Sequence, residues 1–406
     1  MRTGVFCAAL TAALVPVSVG AQSLSLTESD ALARFSVDSP RARAVRSAVD
    51  IARVDVLSAA RWPNPRITFD RESVAGVTEN MVMVAQPLPI TGRRAFDRQA
   101  ASALVDASSS RADDEIRRLR ADLRLAFADL VAAQGREQQL TAARDRLRDL
   151  ADVLAKREAA GDAAGFDRLR AEREVLDIDT DRVVAAMDRS RAQSILTSFF
   201  DVSDPSRLVA VGRSTASAQL PPLEALIEQA ESSRGELLAL KREIDAASFA
   251  ERAADRRRIP EPEIVAGTKS STVGGGDLGS VITVHASIPI FDRARPERAL
   301  ALARAAQAQA RTDAFLLVLR GQLGALRAAV VQRRDAAKRY RAQAVKSADQ
   351  IERIAQVSYD AGERSILELL DAYRTGSSAR VRQATLDAAV RQAEIELEFA
   401  SGWEIE

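Results

Sequence analysis

Three segments of this sequence recur in the same order at a spacing of about 200 residues. WPNPRI at Trp62–Ile67 is echoed by IPEPEI at Ile259–Ile264, each after an arginine-rich helical stretch. VMVAQPLPI at Val82–Ile90 lies 200 positions before ITVHASIPI at Ile282–Ile290. AGDAAGFDRLRAE at Ala160–Glu172 lies 201 positions before AGERSILELLDAY at Ala361–Tyr373. Shared order and shared offset make a tandem duplication, so both halves must build one plan. Each reads as helix, two short strands, a very long helix, a tight break and a returning helix. The copies are bounded at 22–200 and 224–402, with a proline-bearing linker at 201–223 and a short tail at 403–406.

The long helices set the scale. From Gly92 to Ala160 there is no proline and, after Gly92 itself, one glycine, Gly135, so about 69 residues run unbroken for roughly 100 Å at 1.5 Å per residue. No compact globular domain holds such a rod. Apolar residues follow coiled-coil spacing at Leu140, Ala143, Leu147, Leu150 and Leu154, and in the second copy at Leu316, Leu319, Leu323, Leu326 and Val330. Arg, Asp and Gln fill the other positions and form solvated faces. Gly161 and Gly362 stand where each rod reverses, at about 160–166 and 359–365, and suit the left-handed conformation that ends a helix. At the start of copy one, Thr27 is placed to cap a helix that Pro63 and Pro65 terminate.

Between the prolines and the rods lie runs of about ten residues, at about 66–90 in copy one and 263–290 in copy two, the length of a tilted strand crossing a bilayer. In the second copy Ile282, Val284, Ala286 and Ile288 alternate with Thr283, His285 and Ser287, the apolar-out, polar-in pattern of a barrel wall. A soluble hairpin has the same alternation; recurrence in both copies favours the barrel.

The N-terminus, MRTGVFCAALTAALVPVSVGAQ, places Arg2 before an apolar core and small residues Val19 and Ala21 before a cut, so residues 1–21 read as a secretory signal cleaved after Ala21. Cys7, the one cysteine, falls inside it, so the mature chain has no thiol, and Phe6 replaces the small residue expected before a lipidated cysteine. No later window approaches 18 consecutive apolar residues, so a membrane crossing would use strands. Fifty-eight Lys and Arg against 57 Asp and Glu argue against nucleic acid as a partner. Enzymatic function finds little support: there is one histidine, His285, no phosphate-binding glycine motif, and VGGGDL joins two strands instead of opening a helix. No cofactor or metal site is expected.

The stretch SYDAGERSILELLDAYRT, Ser358–Thr375, sets Glu368 and Asp371 one turn apart just past a helical break. Ser365 and Glu368 fit an S-x-x-E capping box. In a ring of protomers the same two carboxylates would form stacked acidic rings that attract cations and raise one another's pKa. The two roles are compatible.

With duplication, paired strands and this motif in place, the whole mature chain resembles the TolC family of outer membrane factors. The resemblance implies a mainly α fold with a small β part. Tandem long antiparallel helical hairpins would form a coiled-coil α-barrel, and four strands per protomer would enter a trimeric twelve-stranded transmembrane β-barrel. It implies residence in the outer membrane with an extension into the periplasm, and outer membrane lipid, a periplasmic adaptor and an inner-membrane pump of the resistance-nodulation-division type as partners of the homotrimer. Carried over by motif position, Tyr359 and Arg364 help hold a closed periplasmic tip, Glu368 and Asp371 line its constriction, and Asp167 pairs with the tyrosine across the break. Arg170 departs from the acidic pattern in copy one, and Glu368 is longer than the aspartate common there. The ELLDAYRT wording resembles the cation-efflux branch, so heavy-metal cations are the expected cargo of a passive duct. A periplasmic coiled-coil adaptor and a type I secretion channel are the alternative readings.

Overall fold

The computed structural model describes residues 24–36, 38–161, 165–200, 204–212 and 219–403; the signal expected at 1–21, residues 162–164 of the first tip break and part of the linker lie outside them. Repeat one comprises β1 (Leu24–Leu26), α1 (Glu28–Arg34), α2 (Pro40–Ala60), strands β2 (Arg66–Val74) and β3 (Val77–Pro87), α3 (Arg93–Ala159) and α4 (Gly165–Thr197). Next come β4 (Leu208–Ala210), α5 (Leu223–Ser233), α6 (Gly235–Arg256), β5 (Pro262–Ser271) and β6 (Asp277–Ala286). The second long helix is α7 (Arg295–Tyr340), a π-helical turn at Arg341–Val345 and α8 (Lys346–Asp360); α9 (Ile366–Ser401) returns.

Local chemistry places these ends. Thr27 caps α1 in a capping box with Asp30, as its position suggests. The first helix expected to run to Pro63 is two helices, because Ser39 caps a new start with Pro40 in its first turn. α3 is a single rod of 67 residues. Its second-repeat counterpart carries the π turn, which periodicity did not indicate. That helix also holds an 18-residue stretch of mean hydropathy 1.6, of which 17% is buried, apolar enough by composition for a bilayer. It forms an exposed flank of the rod around Leu317 and Val318.

β2, β3, β5 and β6 form one antiparallel sheet in that order, joining the hairpins of both repeats. Register aligns Ile67, Val84, Ala266 and Ile282 across all four strands, and this face is exposed and apolar. The opposite face carries Arg66 bonded to Glu263 at 2.7 Å and Lys269 to Glu79 at 2.6 Å. Thr283 and His285 fall on that polar face. β2 and β6 are free edges, so one chain holds an open sheet and not a closed barrel.

Below the sheet α3 packs against α2, α4, α6 and α9, while α7 packs against α6 and α9, and α8 against α9. At the waist β1 pairs in parallel with β4, bringing the start of the described chain beside the inter-repeat segment. A buried ionic network sits at that level. Arg124 bridges Glu28 and Glu398, Arg391 lies 2.9 Å from Glu28 and 3.6 Å from Glu394, and Arg334 holds the fully buried Glu394 at 2.7 Å. Burial pushes the Glu28 carboxyl upward, but Arg391 and Arg124 outweigh it and hold it below its ordinary value. Burial dominates at Glu398 and holds it above, although Arg124 and Arg391 pull the other way.

Candidate functional site

The lower end of the molecule is built from two hairpin tips glued by one apolar cluster. Leu147, Leu150 and Leu154 of α3 meet Ala355 of α8 and Ile366, Leu369 and Leu370 of α9, with Tyr359 and Tyr373 packed at the margin. The coiled-coil leucines expected in repeat one therefore bind repeat two as well as their own hairpin. Gly161 at φ 81° and Gly362 at φ 74° make the reversals; a β-carbon is disfavoured in that left-handed region. The Gly362 N–H donates to the Tyr359 carbonyl at 3.0 Å and the Glu363 N–H to that of Ser358 at 2.9 Å.

At the N-terminus of α9 the capping box is present. The Ser365 N–H donates to Glu368 Oε2 at 3.1 Å, and Arg364 Nη1 donates to Glu368 Oε1 at 2.9 Å. Both oxygens of Glu368 are therefore engaged within its own chain, although the side chain is exposed. Asp371 stands one turn further on, exposed, with the exposed Arg374 three residues beyond it. Tyr359 is half-buried beneath Arg157 of α3, whose guanidinium lies 5.6 Å from the ring centroid. Asp167 is half-buried in the first turn of α4, and among the described residues no hydrogen bond joins it to Tyr359.

Sequence reasoning missed a second set of links, about 12–20 Å above the tip at 1.5 Å per helical residue. Arg146 of α3 donates to Glu352 of α8 at 3.2 Å, and Arg380 of α9 donates to the same carboxylate at 2.6 and 3.0 Å and to Asp349 at 2.8 Å. Glu352 is 8% exposed. Arg374 pairs with Glu174 of α4, so both helices of the repeat-one hairpin are tied to the hairpin of repeat two. Beside this group Tyr373 donates to Gln356 at 2.5 Å, and burial, with help from Glu352, raises its phenol. The available signal was Gly376, a glycine in mid-helix, which makes room for Glu352. Among the described residues no group of three or more His, Cys, Asp or Glu is arranged to hold a metal.

Residues 226–403 match the model of the family described as outer membrane efflux protein. The chain is 24% identical over 371 residues to the cobalt-zinc-cadmium resistance protein CzcC of Cupriavidus metallidurans, covering 91% of this chain and 88% of that protein. Its fold is similar to the CmeC outer membrane channel of Campylobacter jejuni, with a TM-score of 0.76 at 14% identity over 93% of this chain and 86% of that one. A membrane protein of Pseudomonas aeruginosa gives a TM-score of 0.74 at 20% identity, covering 92% and 93%.

Proposed function

We propose that this chain is an exit duct in the outer membrane that extends into the periplasm, and that three copies close one tunnel for metal cations; the match of residues 226–403 to the outer membrane efflux protein family and the likeness to a cobalt-zinc-cadmium resistance protein support the reading. The family match speaks for transport and not for catalysis, and on this reading passage through the duct would be passive.

The observation that carries the assembly is a pair of unpartnered flanks, matched at three levels. In the sheet they are β2 and β6, whose unpaired backbone groups need a partner in lipid. In the upper helices the α2 flank exposes Ile51, Val54 and Leu57, and the α7 flank exposes Leu300, Leu302 and Leu317. In the lower helices the α4 flank exposes Phe166, Leu169, Leu176, Val183 and Met187 at near-heptad spacing. The facing α8 flank exposes Ile351, Ile354 and Val357. Repeat one thus supplies one side of the chain and repeat two the other. Joining unlike edges head to tail closes a ring. Three copies supply twelve strands, enough for a barrel with an aqueous interior.

In such a ring Glu368 would present three carboxylates at the narrow end, with three from Asp371 one turn above them, and cations would concentrate there. Tyr359, Arg364 and Asp167 would hold that end closed. The metal cargo rests on the likeness to a cobalt-zinc-cadmium resistance protein. An adaptor and a resistance-nodulation-division pump are the partners this reading requires. The two repeats at 22–200 and 224–402 would each contribute half of every protomer. Deleting the gene and challenging cells with cobalt, zinc, cadmium and nickel salts tests the cargo. Sensitisation to one or more of these ions, restored by the intact gene, is expected. Sensitisation only to organic drugs would overturn the metal reading and leave the duct.

A further inference from the structure

The level at which the sheet meets the helices is strongly basic. Segments 61–66, 93–98, 251–263 and 291–298 carry twelve arginines against seven carboxylates, in a chain whose net charge is +1. The far end of the sheet is the reverse, with four carboxylates against two basic residues in 70–79 and 269–277. Several of the arginines are committed, Arg93 to Glu261, Arg257 to Glu297 and Arg298 to Glu251. Arg61, Arg98, Arg258, Arg293 and Arg295 are exposed and have no acidic partner among the described residues.

This collar adjoins the apolar sheet face. Ile90 lies three residues before Arg93, Ile259 directly after Arg258, and Ile290 and Phe291 just before Arg293; all four apolar side chains are exposed, Phe291 to 97%. Strands of ten residues tilted by about 40° span about 25 Å, the height of the apolar band of an outer membrane barrel. Arg258 lies four residues before β5, Arg61 five before β2 and Arg293 seven after β6. At no more than about 3.3 Å per residue, with a long side chain to reach back, this part of the collar sits at the level of the lipid headgroups beside the band, while Arg98 stands just below it in the second turn of α3. Arginine suits such a site because its planar fork takes phosphate oxygens bidentately while its stem rests on apolar surface. Arg98 and Arg258 also belong to α3 and the α6–β5 connection, elements inside the protomer and away from its two free edges.

We propose that this collar is a docking surface for the headgroups of anionic phospholipids in the periplasmic leaflet. The assignment to that leaflet rests on the outer membrane reading, because the helical rods leave the sheet at the basic end. It goes beyond that reading in fixing which lipid charge the protein selects and where.

The test uses the full chain, purified in detergent and reconstituted into phosphatidylcholine vesicles with or without phosphatidylglycerol. Insertion is read by flotation, and retained lipid by mass spectrometry. Phosphatidylglycerol should be retained over phosphatidylcholine and released by high salt. Retention in Arg98→Gln/Arg258→Gln/Arg293→Gln should fall by about fivefold per arginine. Arg71→Gln, at the acidic end, should retain it as the native chain does. Insertion without lipid preference, or a triple variant that retains as much as native, overturns the collar while leaving the duct intact. Displacement of phosphatidylglycerol by lipopolysaccharide overturns the assignment to the periplasmic leaflet. Failure to insert in any bilayer overturns the outer membrane reading and the collar with it.

Discussion

A β-carbon placed on Gly376 would lie 1.6 Å from Oε1 of Glu352, so the glycine is the cradle in which that buried carboxylate meets Arg380 and Arg146. Gly376→Ala should force Glu352 out of its paired position. Separating a buried charge from its partners is among the larger single-residue penalties, and partial rearrangement of the long side chain brings the expectation to about 1–3 kcal/mol. Heat-dependent migration of the oligomer on a gel would show the loss. In a double-mutant cycle, Glu352→Ala, which removes the atoms that the new β-carbon would meet, should remove most of the additional cost; full additivity would mean the glycine acts elsewhere.

The two acidic side chains beside the tip differ in their commitments. Glu368 is occupied by the Ser365 amide and by Arg364, whereas Asp371 is exposed beyond the box. Asp371→Asn should therefore weaken block by divalent cations in planar bilayers more than Glu368→Gln does. Glu368→Ala should chiefly destabilise the start of α9, by about 0.5–2 kcal/mol for a lost cap. A larger change in block from Glu368→Gln than from Asp371→Asn would reverse the assignment.

Much of the fold was legible because its signals are periodic. Prolines, strand alternation and the leucines at 147, 150 and 154 act over neighbouring positions, and duplication doubled each of them. The tip was legible for a similar reason, since Gly362, Ser365 and Glu368 form one local motif. The buried charges were not. Arg146 and Glu352 are 206 residues apart and each resembles any solvated position on an Arg-rich helix until the hairpins meet. The π turn at Arg341–Val345 escaped for another reason, since a one-residue change in backbone hydrogen bonding leaves the apolar period almost intact, and the start at Ser39 and Pro40 was overlooked although it is a local signal.

Opposite shifts at Glu28 and Glu398 predict a two-part acid response at the waist. Glu28 is held low, so its contribution to stability is present above the ordinary glutamate pKa and is lost as pH falls through the lowered folded value. Glu398 is held high, so its ionised form opposes folding, and acidification from the raised folded value to the ordinary one adds stability. Glu398→Gln should thus be neutral to stabilising at pH 7 and should flatten the stability profile just above the ordinary glutamate range. Glu28→Gln should destabilise at pH 7 and converge with the native chain in strong acid. Thermal denaturation across pH checks both, and parallel profiles for the three proteins would contradict the pairing.

Ring closure by unlike edges makes a demand that a like-with-like dimer does not. Leu176 of α4 and Ile351 of α8 sit about ten residues from their tips, at similar heights of roughly 15 Å, and both are exposed in the single chain. A lysine at the first or a glutamate at the second would bury an unpaired charge in every interface of the ring. Leu176→Lys and Ile351→Glu should each shift the detergent-solubilised protein from trimer to monomer in sedimentation. Both substitutions in one chain place opposite charges on the two flanks, so each interface of a head-to-tail ring receives one of each sign and trimer should partly return. If the edges met their own kind, the double variant would set lysine against lysine and glutamate against glutamate, and would assemble no better than either single one.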